Sequence, residues 1–157
     1  MFAVMLLSTT AASAAELKTV SGYWLVKKKD VLVVIKPCEE KSGRLCGSIA
    51  WLSPDAKQQR DVLNPDASKR KRALCGIRVM WDMQQNSEQK PDYNGKIYKP
   101  TNGTIYQATM TLADADTLEI RGYIGVPLLG KTVKLTRANP DEFQRCIPHD
   151  GNVWRDK

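Results

Sequence analysis

Histidine is almost absent from this 157-residue chain, His149 being the only one. A Ser–His or Cys–His nucleophile would have to use it, yet it lies in a polar tail and no Gly-x-Ser-x-Gly elbow accompanies it. Zinc is equally poorly served, because the cysteines show no C-x-x-C spacing. Apolar runs long enough to span a bilayer are missing too, which argues against an integral membrane protein. No aromatic residues interleave with the basic clusters, against a nucleic-acid groove. No sustained helical period follows the first residues, so helices should be limited to single turns.

What is present begins with MFAVMLLSTTAASAA, residues 1–15, uncharged and ending on Ala12-Ser13-Ala14. That A-x-A finish reads as a secretory signal peptide, although no Lys or Arg precedes the apolar core. The expectation is a periplasmic or secreted protein in which residues 16–157 form one domain, with an irregular tail from about residue 140. Such a compartment supplies no nucleotide and permits disulfides. Cys38, Cys46, Cys75 and Cys146 make an even set. Cys38 and Cys46 flank a polar, glycine-containing stretch that a hairpin would close, leaving Cys75 and Cys146 as the natural second pair. Four cysteines allow three pairings, and the choice stays open at this stage.

The net charge is +7, concentrated in Lys27-Lys28-Lys29 and Lys69-Arg70-Lys71-Arg72. The plain reading is two solvated loops. The functional reading is a partner with anionic groups, which outside the cytoplasm means an envelope component such as phospholipid headgroups or phosphorylated wall polymer.

Period-two patterning dominates the rest. Strands are expected over residues 20–26, 31–35, 45–52, 74–81, 96–99, 104–112, 118–124 and 132–136. Asn94-Gly95 and Asn102-Gly103 read as turns, and Ser53-Pro54 as the start of one helical turn. About eight short antiparallel strands argue for a sandwich or barrel, and a barrel is preferred because it removes exposed edges.

Gly125 to Thr132 satisfies the phosphate-binding pattern G-x-x-x-x-G-K-[ST]. That chemistry needs a helix after the loop, whereas Val133 to Arg137 alternates as a strand, and Pro127 removes a donor. A hairpin loop is the better reading, as it is for the sequon Asn102-Gly103-Thr104. The loop carrying Asp61, Asn64, Asp66 and Arg70 lacks the oxygen density and bend glycine of a calcium site. A carboxylate pair for glycoside hydrolysis is formally available there. The simpler expectation is structural, with Asn64 and Asp66 capping backbone around Pro65 and Arg70 pairing with Asp61. Trp24, Trp51, Tyr98, Tyr106, Arg121 and Tyr123 are the candidate ligand-contacting residues, core packing being the competing role for the aromatics.

Gly22-Tyr23-Trp24, Ile35-Lys36-Pro37-Cys38 with Leu45-Cys46-Gly47, Asp61 with Asn64-Pro65-Asp66, and Arg72 to Gly76 then occur in order. Gly95 to Pro100, Gly103 to Tyr106, Arg121-Gly122-Tyr123, Gly130-Lys131-Thr132 and Thr136-Arg137 complete the series. Together they resemble a bacterial exported family, domain-of-unknown-function family 2147, from Gly22 to Arg137. The resemblance implies a lipocalin-like antiparallel barrel outside the cytoplasm, and the Gly-x-Trp opening is similar to that of lipocalins, where the Trp closes the barrel floor. It implies no catalytic residues, metal or cofactor.

The expected function is therefore non-enzymatic: binding of a small apolar or amphipathic ligand in the cell envelope. The alternative is a packed barrel acting as a structural or protein-interaction module, and a hydrolase using Asp61 and Asp66 is the weakest reading.

Overall fold

The computed structural model describes residues 19–26, 30–56, 58–87 and 90–147. The leader, Lys27-Lys28-Lys29 and His149 lie outside them. Eight strands run as β1 (Gly22–Val26), β2 (Val31–Pro37), β3 (Arg44–Leu52), β4 (Arg78–Ser87), β5 (Lys90–Lys99), β6 (Thr104–Asp114), β7 (Thr117–Tyr123) and β8 (Lys131–Arg137). Each pairs antiparallel with the next, and β8 returns to β1 to close the barrel. Closure leaves no edge strand, as the Val- and Ile-rich sequence requires. The remaining regular elements among the described residues are short 3-10 turns at Ala67–Lys69, Pro127–Leu129 and Pro140–Glu142.

The expected strands are found with shifted bounds, and two differences have physical causes. Residues 74–77 belong to the loop before β4, where Leu74 and Ile77 hydrogen-bond to Gln59 and Ile49 instead of continuing the ladder. Asn94-Gly95 is not a turn but lies inside β5. Opposite it the β4 ladder is irregular between Trp81 and Gln84, and Asp82 takes φ 55°. A Cβ on Gly95 would sit 2.4 Å from Met83 Sδ and 2.8 Å from the Trp81 carbonyl oxygen. The glycine is there for close approach, not for reversal.

Side chains from all eight strands meet in the lumen, including Trp24, Ile35, Leu45, Met83, Ile97, Met110, Leu118 and Leu135. At the floor the indole N–H of Trp24 donates to the Val20 carbonyl at 2.9 Å. The Arg137 guanidinium lies 4.2 Å from the centre of the Trp24 ring system, and its donors reach the carbonyls of Thr19, Ser21 and Ala115. One guanidinium thus joins the entry to β1, the β6–β7 turn and the last strand.

Residues 138–147 pack on the outside of the barrel. Leu32, Val34 and Ala50 form a separate apolar cluster there, covered by Tyr23, Leu25, Trp51, Ala138 and Phe143. Cys146 N–H donates to the Ala50 carbonyl at 2.7 Å, and the Cys75–Cys146 disulfide fixes this segment. Cys38–Cys46 closes the β2–β3 hairpin.

Candidate functional site

Up-and-down topology puts the loops at residues 53–77, 100–103 and 124–130 at one end, here the mouth. The Trp24 end is the floor. The long β3–β4 loop is built like a short hairpin: Arg60 bridges Ala73, Asp61 N–H donates to the Arg72 carbonyl, and Leu74 N–H donates to the Gln59 carbonyl. At its centre the Asp61 carboxylate is fully buried. Tyr98 Oη donates to Oδ1 at 2.5 Å, while Asn64 Nδ2 at 2.7 Å and Arg72 Nε at 2.9 Å donate to Oδ2. Burial, and then the bond to Asp61, push the Tyr98 hydroxyl above its ordinary value of 10.0. A buried carboxylate is tolerable only with such a set of donors.

The rest of the loop is organised around this anchor. Asn64 Oδ1 accepts from Asp66 N–H, and Asp66 Oδ1 accepts from Ser68 N–H, so both side chains cap backbone on either side of Pro65. Those Ser68 bonds, followed by Lys69, hold the Asp66 carboxyl below its usual range. Arg70 does not pair with Asp61; its Nε donates to the Asn64 carbonyl at 2.8 Å, and Arg72 takes the carboxylate. The antiparallel Arg60–Ala73 bridge places Arg72, not Arg70, across the loop from Asp61. Asp61 and Asp66 therefore serve separate partners and do not converge as an acid–base pair.

The six candidate ligand residues are dispersed. Trp24 is sealed in the floor. Tyr106 shares the lumen face with Ala108 and Met110 by strand alternation, near the mouth, and its hydroxyl accepts from Asn102. Tyr98 lies between lumen-facing Ile97 and Lys99, so it points away from the lumen toward the loop that it holds. Trp51 is on the outer wall: the register shifts between Leu32 and Val33, so Ile49 faces Val33 while Trp51 faces Leu32. Its ring lies 5.0 Å from that of Phe143. Arg121 and Tyr123 flank Gly122 on the outer face of β7. Arg121 Nε and Nη2 donate to the carbonyls of Pro127 and Leu128, and Nη1 donates to Thr132 Oγ1. It clamps the β7–β8 hairpin and is not a lumen contact.

That hairpin contains the phosphate-loop pattern, and a strand, β8, follows it in place of the helix such a site requires. Among the described residues no cluster of His, Cys, Asp and Glu has metal-binding geometry.

Arg72 at the mouth, Arg137 at the floor and Phe143 on the outer wall hold the barrel's ends and tail and were given no site role from the sequence. Phe143 had a local signal, an aromatic residue within the polar stretch from Asn139 to Arg145. The arginines stand in segments that carry the family resemblance, but no local pattern assigned their roles, because their partners lie on distant segments.

The barrel is similar in fold to one solved protein of Helicobacter pylori, HP1028, described as belonging to the lipocalin family. The TM-score is 0.64 at 22% identity, covering 78% of this chain and 84% of that one. No curated protein matches the chain at a significant level. The model of a family described as an uncharacterized protein conserved in bacteria, DUF2147, matches residues 22–137, the whole of the barrel from the first strand to the last. The chain belongs to the DUF2147 family, and the matched residues fold into a lipocalin-like barrel.

Proposed function

We propose that this protein is a non-catalytic component of the extracytoplasmic envelope that acts through its outer surface and rim loops, the barrel serving as a filled scaffold. One observation carries this reading. Trp24, Ile35, Met83, Ala108, Met110 and Leu118 are each 0% exposed, so not even a water-sized probe reaches them from inside the barrel. An eight-stranded barrel is either filled by side chains or open enough for one small ligand, and this core fits the first case. Placement outside the cytoplasm is supported by the two disulfides and by the signal-like leader.

The test is native mass spectrometry of protein purified from its own envelope without detergent. A bare mass, reduced by the hydrogens lost to two disulfides, supports the scaffold reading. A reproducible extra mass released on denaturation would overturn it.

A second reading, a small apolar or amphipathic ligand seated at the mouth, is favoured by the gradient of exposure along the lumen. Ile97, Tyr106 and Val133 near the mouth are only partly buried. Met80, Met83 and Met110 lie in the same core, and methionine adapts its shape readily. Saturable binding of the apolar dye N-phenyl-1-naphthylamine, abolished by Ile97→Trp in a folded variant, would favour this reading.

A further inference from the structure

At the mouth the β7–β8 hairpin turns large apolar side chains wholly outward. Leu128 is 85% and Leu129 78% exposed, with Ile124 and Val126 beside them also exposed. None of these four belongs to the buried clusters. The backbone beneath them is nonetheless well satisfied. Arg121 binds the carbonyls of Pro127 and Leu128. Leu129 N–H donates to the Val126 carbonyl, and Gly130 N–H to that of Pro127. A tip with its polar backbone groups paired internally and its leucines outward meets the requirement for entering the boundary between headgroups and acyl chains.

The neighbouring surface continues the pattern. Ile105 on β6, two residues before the partner of Tyr123, is exposed, and so are Val62 and Leu63 of the β3–β4 loop. Leu63 is held beside the β5–β6 turn through its contact with Gly103. Scattered apolar residues need no explanation, but a set of them gathered at one end of the barrel points to an interaction site.

Charge selects the partner. The mouth loops and adjoining strand ends carry exposed Arg60, Lys69, Arg70, Lys71, Lys99 and Lys131 against exposed Asp30, Asp55 and Asp66, so basic residues outnumber acidic ones there among the described residues. At the floor end Glu39, Glu40, Asp114 and Asp116 are exposed, with Lys41 beside them. This polarity orients the mouth toward a negative surface and the floor away from it.

We infer that the Leu128–Leu129 hairpin tip and the basic β3–β4 loop dock this protein, mouth first, on an anionic phospholipid bilayer. The inference rests on the surface-acting reading above and gives that surface its partner. The hairpin inserts its apolar side chains shallowly, and the lysines and arginines meet lipid phosphates around it.

The experiment is co-sedimentation of the disulfide-intact protein with vesicles of phosphatidylcholine alone or with about 30% phosphatidylglycerol, at low and high salt. Binding to the anionic vesicles should exceed that to neutral ones about tenfold and fall with salt. Leu128→Ser with Leu129→Ser should weaken it about tenfold while leaving circular dichroism and melting unchanged, since both side chains are outside the core. Lys69→Gln with Lys71→Gln should weaken it and flatten the salt dependence. Absence of binding to anionic vesicles, or equal binding by the leucine variant, overturns the inference. So does a dimer that the same leucine change dissociates, without vesicle binding, which would assign the patch to a second copy. With a bare native mass, vesicle failure removes the bilayer alone, whereas a retained small molecule removes the surface-acting reading itself.

Discussion

Tyr98 on β5 donates its hydroxyl to the buried carboxylate of Asp61, a residue 37 positions earlier in the chain. Together with Arg72 and Asn64 this bond fastens a loop of the mouth to the wall of the barrel. Tyr98→Phe leaves Oδ1 without that donor and should cost about 1–3 kcal/mol by chemical denaturation. Asp61→Ala should cost more, about 3–5 kcal/mol, because Arg72 and Tyr98 both lose their acceptor in a buried place. A neutral result for both would show that the cluster is dispensable for the fold.

The same bond sets an alkaline limit. The Tyr98 hydroxyl titrates above its ordinary value of 10.0 in the folded chain, through burial first and Asp61 second. From about pH 10 upward the unfolded chain releases this proton while the folded chain keeps it, so stability falls as pH rises. Below pH 10 the contribution is fully present. Wild-type stability should therefore fall more steeply than that of Tyr98→Phe, by up to about 1.4 kcal/mol per pH unit. Parallel denaturation series between pH 9 and pH 11 would decide, and identical slopes would contradict the assignment.

The two disulfides close loops of very different size, with sequence separations of 8 and 71. In the chain-entropy model, removing Cys75–Cys146 should cost about 4 kcal/mol and removing Cys38–Cys46 about 2.5 kcal/mol. Paired serine variants compared by denaturation midpoint should follow that order. The Cys75→Ser/Cys146→Ser protein should also lose Trp51–Phe143 contact, seen as greater quenching of tryptophan fluorescence by iodide. The reverse order of stabilities would show that native packing of the tail, and not loop closure, sets the effect.

Trp51 and Trp24 should respond differently to truncation. Trp51→Ala removes an outer-wall contact with Phe143 and should cost about 1–3 kcal/mol with the barrel intact. Trp24→Ala empties the floor, leaves Arg137 without its ring, and should cost about 3–5 kcal/mol or abolish folding. Circular dichroism with thermal melting separates the two, and equal losses would place Trp51 in the load of the main core.

Gly103→Ala tests the junction between the β5–β6 turn and the mouth loop. The position has φ 69°, and an added Cβ would fall 1.9 Å from the Leu63 carbonyl oxygen. The backbone conformation alone should cost about 1–2 kcal/mol, and the clash should displace Leu63. Faster proteolysis within residues 61–72 is the expected readout, and unchanged cleavage would mean that the junction is not what orders the loop.

Much of this was written locally. Alternation announced the strands, because which residues suit a pleated half-buried surface is a property of neighbours in sequence. The cysteine spacing made a Cys38–Cys46 hairpin natural, and the residues around Pro65 specified their own caps. What alternation cannot state is which face becomes the lumen. Trp24 and Trp51 are both strand tryptophans, yet the irregular register at Leu32 and Val33 turns Trp51 outward while barrel closure buries Trp24. Asn94-Gly95 has a turn's composition, but close contact with Met83 and the Trp81 carbonyl decides its role. Arg72 was indistinguishable from Arg70 in a basic run until the loop folded onto Tyr98. The sequence by itself determined an all-β chain with its strands and cysteine framework, since hydrophobic period and turn chemistry are local. Only the tertiary structure decided facing, the Asp61 anchor and the outward hairpin, because each depends on register and closure between segments far apart in the chain.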